Sequence, residues 1–198
     1  FDLEYKDGIT YREVSEDFRD NYKYDIILAK EGAKLIELNK TIKSDCEIII
    51  AGDGPLTGKL KSACHSSRVH FIGRLDDNEL RWYHYAASIF AFPSITKNEA
   101  FGIALAEAMY CGTPAVTFTI PGSGVNWVSL NNITGLEVSN KNCKAYAGAI
   151  DKLLIDDRLR EQFARKSIER VKEHFTIPIM IHLLDSYYKN MFENIYSK

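Results

Sequence analysis

Apolar residues follow two rhythms along this chain. Short, nearly unbroken apolar runs at 25–29, 47–51, 69–72, 88–92, 115–118 and 136–138 alternate with segments at 31–42, 56–65, 76–86 and 102–111 whose apolar residues recur at helical spacing. A short apolar run without polar alternation is the mark of a strand buried on both faces. Strands of that kind alternating with helices spell parallel βαβ units, so the pattern predicts an α/β fold built on a Rossmann-like, doubly wound parallel sheet. Beyond residue 140 only the helical rhythm remains. It predicts helices over 143–155, 157–174 and 178–195, broken at Asp156-Asp157 and at Thr176-Ile177-Pro178. Residues 1–24 mix charges with scattered aromatics, fit neither period and read as a connector into the sheet.

Composition narrows the functional classes. The 198 residues are 45% hydrophobic and 26% charged, as a packed domain requires. Lys and Arg number 25 against 27 Asp and Glu, and the net charge of -2 gives no global attraction for nucleic acid, leaving only a local basic pocket. Cys46, Cys64, Cys111 and Cys143 form no CxxC pair, which excludes a zinc knuckle and a dense disulfide framework and fits reduced thiols in the cytoplasm. The apolar stretches are too short to span a membrane and no basic-then-apolar leader opens the sequence, so a soluble chain is expected. His65, His70, His84, His174 and His182 lack ligand spacing and read as surface or packed residues. The basic residues of 157–174, Arg170 included, interleave with acidic ones and predict a solvated mixed face.

The stretch from Pro93 to Val116 carries the chemistry. It reads strand, loop, helix, strand: Gly102 opens the helix, Gly112 caps its end and Pro114 blocks continuation. That puts a helix N-terminus at the carboxyl end of a parallel strand, where open α/β sheets bind ligands. Unpaired amides around Phe101, Gly102 and Ile103 predict an anion site suited to a diphosphate, with Gly102 letting an oxygen approach where a side chain would interfere. Within a helix apolar nearly all round, Glu107 stands out. A buried carboxylate needs either protein donors or a ligand with paired donors, such as vicinal ribose hydroxyls. Glu99, in the preceding polar loop, either faces the same cleft or is a first-turn helix charge.

Pro93-Ser94-x4-Glu99-x-Phe101-Gly102-Ile103-x3-Glu107-Ala108-Met109-x2-Gly112-Thr113-Pro114 closely resembles the donor-site motif of retaining GT-B glycosyltransferases of the group 1 (family 4) type. Ala51 to Leu56, Val69 to Leu75, Thr134 to Val138 and Glu173-His174-Phe175 resemble further segments of that family's C-terminal lobe, and the similarity runs from about Cys46 onward. Gly122-Ser123-Gly124-Val125-Asn126 with Asn132-Ile133-Thr134 is similar to bacterial enzymes of surface polysaccharide synthesis. The resemblance implies that Glu107 holds the donor ribose, that Glu99 contacts the hexose as the catalytic-site carboxylate, and that Ala100, Phe101, Gly102 and Ile103 meet the diphosphate and sugar. It further implies that Arg74 lies near the base, that Gly52, Asp53 and Gly54 shape the cleft wall, and that no metal or other cofactor is needed. The family's Gly-Arg-x4-Lys segment is not recognisable after Leu28; Lys30 stands as the candidate for its Lys, and no Arg matches.

The resemblance also implies a second, N-terminal acceptor lobe, which 198 residues do not accommodate. The expectation is therefore a donor-binding lobe: connector 1–24, sugar-nucleotide domain 25–175 and a last helix, 176–198, packing toward the other lobe. Its partners would be a nucleotide sugar, a glycan or lipid-linked acceptor and that lobe, with no nucleic acid. Any peripheral contact with the inner membrane would come through the second lobe. A noncatalytic nucleotide-sugar-binding module is the alternative. A dinucleotide-binding domain fits less well, because GxGxxG spacing after β-strand 47–51 requires glycine at Thr57. A metal-dependent GT-A enzyme would need an Asp-x-Asp motif, which is absent.

Overall fold

Ile27, Leu28 and Ala29 are all but fully buried, and the strand they form occupies the middle of the sheet with neighbours on both sides. The computed structural model describes residues 25–29 and 32–196. The connector 1–24 and Lys30 lie outside the described residues. Six strands, β1 (Asp25–Ala29), β2 (Cys46–Ala51), β3 (Val69–Gly73), β4 (Ile89–Phe92), β5 (Ala115–Phe118) and β6 (Gly135–Val138), form one sheet in the order β3-β2-β1-β4-β5-β6. Every pairing is parallel; Ile27 pairs with Ile48 on one side and with Ile89 on the other. All six strands expected from the apolar runs are present. β4 and β5 are buried at every position, whereas the edge strands β3 and β6 are half-buried along part of their length.

The helices are α1 (Gly32–Asn39), α2 (Thr57–Ala63), α3 (Asp77–Ala86), α4 (Ile103–Tyr110), α5 (Val125–Val128), α6 (Cys143–Ile155), α7 (Asp157–His174) and α8 (Ile177–Tyr196). Three of them, α3, α6 and α7, start on side-chain caps. Asp76 accepts from the amides of Asn78 and Glu79 at 2.8 Å, while Glu79 accepts from the Asp76 amide at 3.0 Å, a reciprocal box that fixes the first turn of α3. Asn142 and Asp156 cap α6 and α7 through the amides of Ala145 and Leu159, each at 3.0 Å. At its end α4 turns on Gly112, at φ +81°, where sequence places the stop.

Two features depart from the sequence reading. The segment between β5 and β6, where the apolar rhythm predicted no element, contains the short helix α5, whose Val125 and Val128 are fully buried. Asn126 braces it, accepting from the Ile120 amide at 2.7 Å and donating to the Phe118 carbonyl at 3.0 Å. On α7, Lys166 and Glu169 pair on the outer face at 2.6 Å, as a solvated mixed face should. Arg170 does not belong to that face. It donates to the carbonyls of Val128 and Trp127 and lies over the rings of Trp127 and Phe175, at 5.9 and 5.4 Å. Its planar guanidinium ties α7 to α5, a role that charge interleaving cannot distinguish from a salt bridge.

α8 leaves a long apolar face uncovered. Ile177, Met180, Ile181, Leu183, Leu184, Tyr187, Tyr188 and Phe192 are each more than half exposed. The helical spacing of these residues therefore does not dock them on this domain's own core. No helix among the described residues is long and apolar enough to cross a membrane.

Candidate functional site

The sheet reverses its winding between β1 and β4, and in such sheets the crevice beyond the carboxyl ends of those strands is the ligand site. A cleft of about 300 Å³ opens there. Leu28 and Ala29 end β1, Ala51 ends β2 and Gly52 follows it, Arg74 and Leu75 follow β3, and Ile103, Ala104 and Glu107 come from α4; Leu80 and His84 of α3 and Phe90 complete the lining. Four of the expected site residues, Gly52, Arg74, Ile103 and Glu107, are brought together in it. Glycine is required at the rim by backbone shape. Gly52 has φ +117° and donates to the carbonyl of Gly73, itself at φ +76°, at 2.6 Å.

The entry to α4 is built by the loop before it. The Gly102 amide donates to Glu99 Oε1 at 3.1 Å, and the first intrahelical bond runs from Ala106 to the Gly102 carbonyl at 3.1 Å. The amides of Ile103 and Ala104 therefore have no acceptor within the helix, and the positive end of its dipole points outward beside the cleft. The loop is clamped from α5: Ser123 donates to the Glu99 carbonyl, and the Gly124 amide donates to the Ala100 carbonyl at 2.7 Å. Two expectations are corrected here. The Gly102 amide is held by Glu99, so it is not among the unpaired donors. A Cβ on Gly102 would meet Leu105 Cβ at 3.2 Å and Phe92 Cζ at 3.5 Å, so glycine is set by φ +88° and core packing, not by the approach of a ligand.

Glu107 also differs from expectation. Leu105, Ala108 and Met109 form the buried face of α4, while Glu107 and Ile103 lie on its exposed face, Ile103 with 69% of its surface open. Apolar residues all round α4 divide between a core face and a face that lines clefts, and composition alone cannot separate the two. A second groove, of about 760 Å³, continues from the first between α3, α4 and the α7–α8 junction. Phe101 lines it with Arg81, Tyr85, Phe175 and Met180, and Leu80, His84, Ile103 and Glu107 line both spaces. Burial pushes the Cys111 thiol of that groove up to about 12, against the opposing pull of Tyr85 and Arg81, which removes it as a nucleophile near neutral pH.

Other expected residues stand aside from the cleft. Asp53 and Gly54 are exposed and form a local turn, in which the Gly54 amide donates to Asp53 Oδ1 and Thr57 Oγ1, both at 2.9 Å. Ala100 is exposed at the loop tip, and half-buried Glu99 sits at the helix mouth without lining the cleft. His84 is the cleft residue that sequence reasoning passed over. It is 2% exposed, packs edge-on to Phe90 at 5.4 Å between centroids, and has no hydrogen-bond partner for either ring nitrogen among the described residues. Burial lowers it from 6.5 to about 4, so the ring is neutral at physiological pH. Its signal in the sequence is a polar residue four positions after Leu80, on the buried side of α3. Among the described residues, no three His, Cys, Asp or Glu side chains are grouped to hold a metal ion.

Known proteins share this architecture. A D-rhamnosyltransferase of Pseudomonas aeruginosa is 31% identical over 136 residues, which are 67% of this chain and 35% of that protein. The O-antigen chain mannosyltransferase C of Escherichia coli is 26% identical over 155 residues, 77% of this chain and 41% of that protein. The chain thus spans well under half the length of these relatives. Anabaena HepE, solved with UDP and glucose, superposes with a TM-score of 0.74 at 16% identity, covering 90% of this chain and 52% of that one, and shares the Rossmann-like lobe of the GT-B fold. The family described as glycosyl transferases group 1 matches residues 23–170. With that match running through β1, the cleft and most of α7, this chain belongs to the group 1 glycosyl transferases.

Proposed function

We propose that this chain is the donor-binding lobe of a retaining glycosyltransferase that moves a hexose from a nucleoside diphosphate sugar to a glycan or lipid-linked acceptor in cytoplasmic synthesis of surface polysaccharide. The observation that carries the reading is the convergence of Arg74, the α4 entry and the exposed Glu107 at the switch point of the sheet. Glu107 accepts from the two ribose hydroxyls, and Arg74 lies toward the base. The diphosphate rests against the first turn of α4, whose open amides and dipole stabilise charge developing on the leaving oxygen as the glycosidic bond breaks. Glu99 keeps one oxygen on the Gly102 amide and turns the other toward the hexose. The acceptor comes with a second lobe, for which the open face of α8 is the docking surface, and closure of the two lobes orients the acceptor and excludes water. The curated relatives support the surface-polysaccharide setting, since one is a D-rhamnosyltransferase and the other an O-antigen chain mannosyltransferase.

Calorimetric titration with UDP-, GDP-, ADP- and CMP-sugars tests the reading. Binding of one diphosphate series, UDP, GDP or ADP, in preference to the monophosphate CMP-sugar, with no steady turnover by this chain alone, is the expected result. Failure of every nucleotide sugar to bind overturns it.

A further inference from the structure

His84 is a polar residue in a position that packing alone does not account for. Its ring is almost fully buried on α3, against Phe90, yet neither Nδ1 nor Nε2 has a partner among the described residues. Phenylalanine would fill much the same space beside Phe90 without leaving a buried donor and acceptor unsatisfied. The residue nevertheless lines both the cleft and the adjoining groove, its two nitrogens lying just beneath their walls, so a small side-chain rotation on binding brings an N–H to the ligand. Glu107 lines the same two spaces from the facing helix. Apart from Arg74, the remaining residues of the smaller cleft are apolar or glycine. A ligand entering there meets one cation, one carboxylate and one imidazole.

The chemistry of the three groups is complementary to a vicinal diol. An ionised carboxylate only accepts, so it takes the protons of the two hydroxyls and leaves their oxygens in need of a donor. A neutral imidazole carries one N–H donor and one bare acceptor nitrogen. We propose that His84 is a specificity-determining contact of this cleft, donating a ring N–H to a hydroxyl oxygen of the donor's ribose while Glu107 accepts the hydroxyl protons. This rests on the donor-lobe reading and adds to it a second contact that selects ribose from the α3 side. The unpartnered ring nitrogens are thereby satisfied on binding, and the residue type is accounted for by the ligand and not by the core.

The test compares parent, His84→Phe, His84→Asn and Glu107→Gln by calorimetry with UDP and GDP, each as the ribonucleotide and as the 2′,3′-dideoxyribonucleotide, alongside thermal unfolding. His84→Phe keeps the ring against Phe90 and should melt at or above the parent temperature. It should lose about tenfold in affinity for the bound ribonucleotide, the scale of one hydrogen bond, and nothing for its dideoxy counterpart. His84→Asn restores a side-chain N–H and should recover part of the loss. Equal weakening of both nucleotides in a folded His84→Phe, or parent-like binding of both, overturns the inference. If Glu107→Gln alone lowers the preference for ribose while His84→Phe keeps it, the donor-lobe reading stands and the His84 contact falls. If the parent binds neither UDP nor GDP in either form, the His84 contact falls, and the donor-lobe reading falls with it only when the other nucleotide sugars fail to bind as well.

Discussion

The carboxylate of Glu99 accepts a hydrogen bond from the backbone amide of Gly102 at 3.1 Å, across the turn that opens α4. The same glutamate thereby braces the turn into α4 and is the residue proposed to contact the hexose. Glu99→Gln retains an oxygen acceptor for the amide and should cost less than about 1 kcal/mol, whereas Glu99→Ala removes that hydrogen bond and should cost about 1 kcal/mol. Glu99→Gln should leave nucleoside diphosphate affinity unchanged and weaken the sugar nucleotide. Urea unfolding and paired titrations measure the two effects; equal binding losses for both ligands would remove the sugar contact.

Glu107 is exposed on the cleft face of α4, so stability measured beside binding tells its role in the site from its role in the fold. Glu107→Gln should change stability by no more than about 0.5 kcal/mol, the range for an exposed site. Nucleoside diphosphate and sugar nucleotide should weaken together by roughly 1.5 to 3 kcal/mol, the scale of a hydrogen bond to a charged group. A variant that folds normally and binds like the parent would disprove the ribose assignment.

Two glycines should rank in an order that backbone angles alone do not suggest. Gly102 has φ +88° and a Cβ there would press Leu105 at 3.2 Å, so Gly102→Ala should cost on the order of 1 to 3 kcal/mol. Gly135 has no such φ, but its Cβ would stand 2.1 Å from the Ala115 carbonyl oxygen of the neighbouring strand. Gly135→Ala should be the more damaging, because the obstacle is sheet backbone that cannot rotate away. Denaturant midpoints of the two variants check the order.

His84 titrates at about 4 in the fold and from an ordinary value of 6.5 when unfolded. Between those two values the unfolded chain takes up a proton that the folded chain refuses. The contribution is therefore fully present above about pH 6.5 and falls as the pH is lowered toward 4, by about 3 kcal/mol in all. In His84→Phe this part of the acid loss should vanish, and the difference between the two stability curves against pH isolates it. Parallel curves from pH 7 to pH 4 would show that the ring is protonated equally in both states.

The exposed apolar face of α8 should make the chain associate with itself. Sedimentation should show a concentration-dependent shift toward larger species, and Leu184→Glu with Tyr187→Glu should abolish it while leaving the melting temperature within a few degrees. A monomer at all concentrations would contradict this.

The strands were legible in the sequence because a two-sided buried parallel strand must be apolar at nearly every position, and β1, β4 and β5 are. The entry and exit of α4 were legible because Gly102 and Gly112 occupy left-handed backbone that other residues avoid. Spacing also placed Glu99 and Glu107 at the mouth and on the body of the same helix. Which face of α4 meets the core was not legible: Ile103 and Ala106 look like Leu105 and Met109 in a sequence, and only the packing of α3 and α7 against α4 decides that the first pair lines open space. Arg170 and His84 were missed for the same reason. A charge on an amphipathic helix reads as solvated, and a lone histidine reads as packed, until distant segments supply the Val128 carbonyl beneath one and the open cleft beside the other. Local pattern records what each residue's backbone and immediate neighbours require, whereas the partner of a side chain is set by residues far away in sequence, which only the folded sheet brings within reach.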